Sequence, residues 1–145
     1  MHIAKTLMLP LILIISMIGF DNLQAAGDLT RRGTALPDLL LGSEESDYSL
    51  SQKEYQLETG KAYQLKIIAS GRKEYAFQAP EFATSIFLRK VEAGGVEVKA
   101  ITLTELEFED AGEAEIFFVP IKPGTFRFFA KGLEGKGMLG HFVVK

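Results

Sequence analysis

The chain of 145 residues contains no cysteine. That absence excludes disulfides, thiolate metal sites, a cysteine nucleophile and lipid attachment through an N-terminal cysteine. Histidine is almost as scarce. His2 stands at the extreme N-terminus, so the rest of the chain has His141 alone, and a site made only of histidines is out of reach of one subunit. A basic excess is missing too. Sixteen Lys and Arg stand against 19 Asp and Glu, for a net charge of −3, whereas a nucleic-acid partner calls for a cationic footprint that displaces counterions. No Gly-x-Ser-x-Gly elbow surrounds Ser70 or Ser85, and no glycine-rich phosphate loop leads into a helix. On these absences the chain is expected not to be an enzyme.

The one long apolar run lies at the start. Met1–Lys5 is short and basic, Leu7–Phe20 is nearly unbroken hydrocarbon, and Leu23-Gln24-Ala25-Ala26 ends on small residues. This is the pattern of a secretory signal peptide over residues 1–25, and the run is shorter than the ~20 residues that span a bilayer. Cleavage removes one Lys and one Asp and leaves the net charge unchanged. An exported product with no transmembrane span is expected, and in a bacterium its compartment is the periplasm. Residues 26–46 are polar and rich in helix breakers around Leu36, Pro37 and Leu39-Leu40-Leu41. They read as a flexible N-terminal arm whose leucines dock on the domain edge, or as a short helix beginning near Pro37.

Residues 47–145 read as one domain with a period of two. Tyr55 and Leu57, Tyr63, Leu65 and Ile67, Tyr75 and Phe77, Val96 and Val98, and Phe126 and Phe128 alternate with polar neighbours, the mark of half-buried strands. Turns are expected at Glu58–Lys61, Ser70–Lys73, Gly94-Gly95 and Lys122-Pro123-Gly124. The apolar parity changes between Leu103 and Leu106, so the chain must bend, bulge or begin a new strand there. Ala114–Val119 becomes apolar on both faces, as a central strand does. Only Glu81–Val91 is ambiguous, because Phe82, Ile86 and Arg89 also fit a helical turn. Seven or eight short strands without crossover helices predict an all-β, two-sheet Greek-key sandwich.

The order of these pieces resembles the bacterial periplasmic cupredoxins. Tyr48–Tyr63 resembles their opening hairpin, Phe118–Phe128 their penultimate strand and its turn, and Gly137–Gly140 with Phe142–Val144 their closing loop and last strand. The resemblance implies a cupredoxin-like fold, and it is strongest to the domains that accompany iron- and copper-uptake systems. The blue-copper centre of that family takes two His, one Cys and an axial Met. At the matching positions this chain has Tyr75, Ala130, the Leu133 region and Met138, so only Met138 is a ligand type. The expected role is therefore a non-catalytic periplasmic accessory or binding protein of iron or copper uptake or homeostasis. Its partner would be a metal-transport protein of the periplasm or inner membrane, and no bound cofactor is expected.

Two further sets of residues carry chemistry. Met138 and His141, with Glu134 nearby, offer a thioether, an imidazole and a carboxylate, donors that suit Cu(I) or another ion if Leu139-Gly140 bends. They define the alternative reading, a direct metal carrier, against the plainer one of a packed Met138 and a satisfied edge His141. Glu105, Glu107, Glu109, Asp110, Glu113 and Glu115 form an acidic stripe that reads either as oxygen ligands for a hard cation or as a solvated face guarding a sheet edge. Phe82, Ile86 and Leu133, extended by Phe87 and Leu88, read either as an apolar partner surface or as residues that simply complete the core.

Overall fold

Alternation in the sequence becomes alternation of burial. In β4 (Tyr63–Ala69) the side chains of Tyr63, Leu65, Ile67 and Ala69 are buried while those between them are not, because successive residues of a strand face opposite sides. The structure is a computed structural model and describes residues 32–145. The expected leader and the first residues of the expected arm lie outside them.

Along the described chain the elements are β1 (Thr34–Ala35), β2 (Leu39–Leu41), β3 (Glu54–Leu57), β4, β5 (Tyr75–Gln78), a single helical turn α1 (Pro80–Ala83), β6 (Ile86–Ala93), β7 (Val96–Val98), β8 (Leu106–Phe108), β9 (Gly112–Pro120), β10 (Gly124–Ala130), a 3-10 turn at Glu134–Lys136 and β11 (Leu139–Val144). They form two sheets. The first runs β1-β4-β9-β6-β7, with β2 also on β4, and the second runs β3-β11-β10-β5-β8. This is the expected all-β sandwich with more, shorter strands than the periodicity alone gives.

Three expectations are corrected. Residues 32–46 are not a flexible arm: β1 and β2 pair in parallel with successive parts of one edge of β4, and Leu39 and Leu41 are buried. Pro37 breaks the strand between them, and its carbonyl accepts a hydrogen bond from the Tyr55 phenol at 3.0 Å. Burial, with a smaller contribution from the charge of Asp38, holds that phenol protonated well above its usual range. Secondly, β3 and β4 do not form a hairpin. β3 pairs with β11 and β4 with β9, so Glu58–Lys61 crosses between the sheets. Thr59 N–H donates to the Lys145 carbonyl and Gly60 N–H to that of Pro120, each at 2.8 Å, which fastens the crossing to both layers. Thirdly, the helical reading of Glu81–Val91 holds only to Ala83. Ile86 and Arg89 lie on β6, where an irregularity between Leu88 and Lys90 shifts the inward parity from Leu88 to Val91.

β9 sits between β4 and β6, which is why its second half is apolar on both faces. On its outer face Phe117 is shielded by Lys90, whose Nζ lies 4.5 Å from the ring centroid. The parity change before Leu106 marks the start of β8 on the other sheet. Between the layers Phe82 stacks on Phe142 with centroids 4.1 Å apart and meets the edge of Phe118 at 5.3 Å. Tyr55 and Phe128 complete the aromatic centre against Phe142.

Candidate functional site: the closed end of the sandwich

Where β10 ends, the chain loops through residues 131–138 and returns as β11. Three backbone hydrogen bonds gather that loop: Leu133 N–H to the Ala130 carbonyl at 2.9 Å, Met138 N–H to Leu133 at 3.2 Å and Ala130 N–H to Met138 at 3.0 Å. Ala130 is in register with Phe77, and Lys131 N–H donates to the Ala76 carbonyl at 2.9 Å. Tyr75, two residues before Phe77 and on the same face, therefore joins the group. The structure thus brings Tyr75, Ala130, Leu133 and Met138 to one end of the sandwich. Tyr75, Ala130 and Met138 are fully buried, and Leu133 packs half-buried against the core.

The Tyr75 phenol is used structurally. It donates to the Asp47 carbonyl at 2.9 Å and lies 3.3 Å from Ser70 Oγ. Gly42, at φ +76°, gives it room: a Cβ there would stand 2.1 Å from the phenol oxygen. Asp47, Ser70 and Gly42 are partners that no sequence motif marks, apart from the single glycine after the leucine run. Beside them Lys73 and Lys136 Nζ lie 5.7 and 5.6 Å from the Tyr48 ring centroid, and Arg72 pairs with Asp47 at 2.6 Å.

A blue-copper centre does not fit these residues. The end holds a methyl group at Ala130, a phenol turned to a backbone carbonyl and one buried thioether, with no thiolate and no imidazole among them. Nor does the structure bring Met138 and His141 together. Met138 is buried in the core, whereas His141 lies between inward Gly140 and Phe142 on β11, in register with Arg127 and Glu54, and so faces outward. Glu134 is on the 3-10 turn beside Leu133.

The acidic stripe divides between the sheets. Glu107 is exposed on β8 while Leu106 and Phe108 pack on the core. Glu105 accepts from Gln78 Nε2 at 2.5 Å and is 3.5 Å from Lys131 Nζ. Glu113 and Glu115 lie on β9, where Glu113 is 3.6 Å from Lys66 Nζ and Glu115 is in register with Lys66 and Glu92. Among the described residues no group of three or more His, Cys, Asp or Glu is arranged to hold a metal ion.

The expected partner surface is corrected at Phe82, which is 2% exposed because the α1 turn aims it between the sheets. Leu88 is likewise buried, Ile86 is partly so, and Phe87 is 51% exposed. Among the described residues no helix is long and apolar enough to cross a membrane.

No family model matches the chain, and no curated protein matches its sequence. Solved structures do share its fold. A multicopper oxidase from Campylobacter jejuni, described as a metallo-oxidase, superposes with a TM-score of 0.57 at 12% identity over 79% of this chain and 31% of that one. A second multicopper oxidase gives 0.57 at 11% identity over 77% and 44%. A multi-copper oxidase from Pediococcus acidilactici gives 0.56 at 9% identity over 79% and 27%. The chain spans less than half the length of each. These neighbours correct the expectation that the chain is not an enzyme: its fold is one found in oxidases, so lacking a catalytic motif is no ground for excluding catalysis. At such identities the likeness carries the fold alone, and that fold is the cupredoxin-like sandwich.

Proposed function

We propose that this chain is an exported cupredoxin-fold accessory protein of iron or copper uptake or homeostasis. It works by binding a metal-transport protein of the periplasm or inner membrane through its Leu133 end. The observation that carries this reading is the closure of that end by Tyr75, Ala130 and Met138 with Leu133 left at the rim. Apolar side chains in place of ligands remove the cost of burying unfilled polar groups. They leave a firm floor under loops that are free to carry recognition. Lys73 and Lys136 around Tyr48 add charge to the rim, which suits a partner with carboxylates opposite. The link to metal handling is supported by the resemblance in the sequence and by the metal-dependent oxidases that share the fold.

Photo-crosslinking from a reactive residue placed at Leu133, in cells of the native host, tests the reading. A single crosslinked metal-transport component is expected, with a yield that changes with iron or copper supply. Lys122, at the opposite end of β10, serves as the comparison position. Identical products from both positions, or none from Leu133, would reject it.

A further inference from the structure

β7 is an edge of the first sheet. It pairs with β6 through Val91↔Val98, Glu92↔Glu97 and Ala93↔Val96, and no strand among the described residues lies on its other side. Val98 shares its face with buried Val91, and Val96 shares its face with Ala93, whose partner Ala114 is buried. Both valines therefore point to the core side of the sheet. Yet Val96 is 60% and Val98 44% exposed, and Ile101 just beyond is 99% exposed.

Natural edge strands are guarded by being short, by surface charges, by inward-pointing charges, by proline or by bulges. β7 is short, at three residues, but it has no inward charge, no proline and no bulge. Its inward residues are valines, and its charges, Glu97 and Lys99, point to the outer face. There Glu97 meets Lys99 Nζ at 2.7 Å and Lys90 Nζ at 2.9 Å. The sequence Val96-Glu97-Val98-Lys99 is also self-complementary. In an antiparallel pair centred on Val98, each Glu97 falls opposite the other chain's Lys99, and the two Val98 side chains meet on the core side.

We propose that β7 is a homodimer interface, in which two copies of this chain pair β7 to β7 antiparallel about Val98 and join their first sheets into one. Such a contact is isologous, as a two-fold dimer requires. It covers the exposed valines and uses the free backbone groups of the edge. The charge pattern selects the antiparallel register over a parallel one, which would set like charges side by side.

A charge exchange tests this on the full chain as exported. Sedimentation velocity across a concentration series should show the wild type approaching twice the mass of one chain. Glu97→Lys alone and Lys99→Glu alone each set like charges opposite one another at both crossings. Each should weaken self-association about tenfold or more. An equimolar mixture of the two variants restores opposite charges at both crossings and should recover the dimer mass. Val98→Lys, which places a charge on the core side, should be monomeric, with a far-UV spectrum and Tm close to wild type. A wild type that stays monomeric at all concentrations overturns the proposal. So does a dimer that persists in both single variants, or a mixture that stays monomeric.

Discussion

At Tyr75 one side chain holds three stretches of chain at a point. Its phenol bonds the Asp47 carbonyl, neighbours Ser70 Oγ and fills the space left by Gly42. Tyr75→Phe keeps the ring but leaves that part-buried carbonyl without its donor, and an ordinary intramolecular hydrogen bond is worth about 0.5–1.5 kcal/mol. Urea denaturation should show that loss with an unchanged slope; a stability equal to wild type would mean the bond is idle. Met138 makes a second point at the same scale. A Cu(I) ion can reach its thioether only if the core opens, because the side chain is fully buried and His141 faces the other way. Cu(I) titration followed by calorimetry and Tm should therefore give neither heat nor a shift. Saturable binding lost in Met138→Leu would show that the loop opens to admit the ion.

At the scale of elements, β2 and the β6–β7 hairpin behave differently. Leu41 is buried on a strand that continues the first sheet past β4, so Leu41→Ala should cost about 2–5 kcal/mol in chemical denaturation. A loose arm would register almost nothing. The hairpin is held at its surface by charge. Hydrogen bonds from Lys99 and then Lys90 lower the Glu97 carboxyl from 4.5 to about 2. A lowered folded-state value means the pair's contribution is complete above the unfolded value of 4.5 and is lost as pH falls towards 2. Because Glu97 is exposed to solvent, that contribution is small and screened by salt. Carboxyl chemical shifts followed against pH should place its midpoint far below the ordinary glutamate range. Lys99→Met should move it up, and a midpoint indifferent to that change would remove the pairing as its cause. These elements also show what a pattern of residues can and cannot reveal. Period two discloses which face of β4, β5 and β10 is buried. It does not say which strand lies alongside, so the parallel pairing of β2 with β4 and the separation of β3 from β4 stayed hidden. Both depend on contacts between residues distant in the chain.

For the whole molecule the same distinction decides how much of the candidate site was visible. Ala130 and Met138 are singled out in the sequence through the resemblance, and both are buried in the structure. The partners of Tyr75 were not legible, since a backbone carbonyl at Asp47 leaves no trace in residue identity. Phe82 is ambiguous for a related reason: its segment fits either a helical turn or a strand, and residue identity does not say which way the ring of a single turn points. The inward Phe82 ring is what makes the two layers one unit. It stacks on Phe142 of the second sheet and touches Phe118 of the first, while Thr59 and Gly60 tie the crossing to Lys145 and Pro120. Phe82→Ala should therefore cost about 3–5 kcal/mol, and the loss should fall on both sheets. Amide exchange is the measurement. Protection in β4 and β9 should drop in step with that in β10 and β11, because neither layer keeps a complete core without the shared ring. Weakened protection in the second sheet alone would mean that the layers unfold separately and that Phe82 belongs to only one of them.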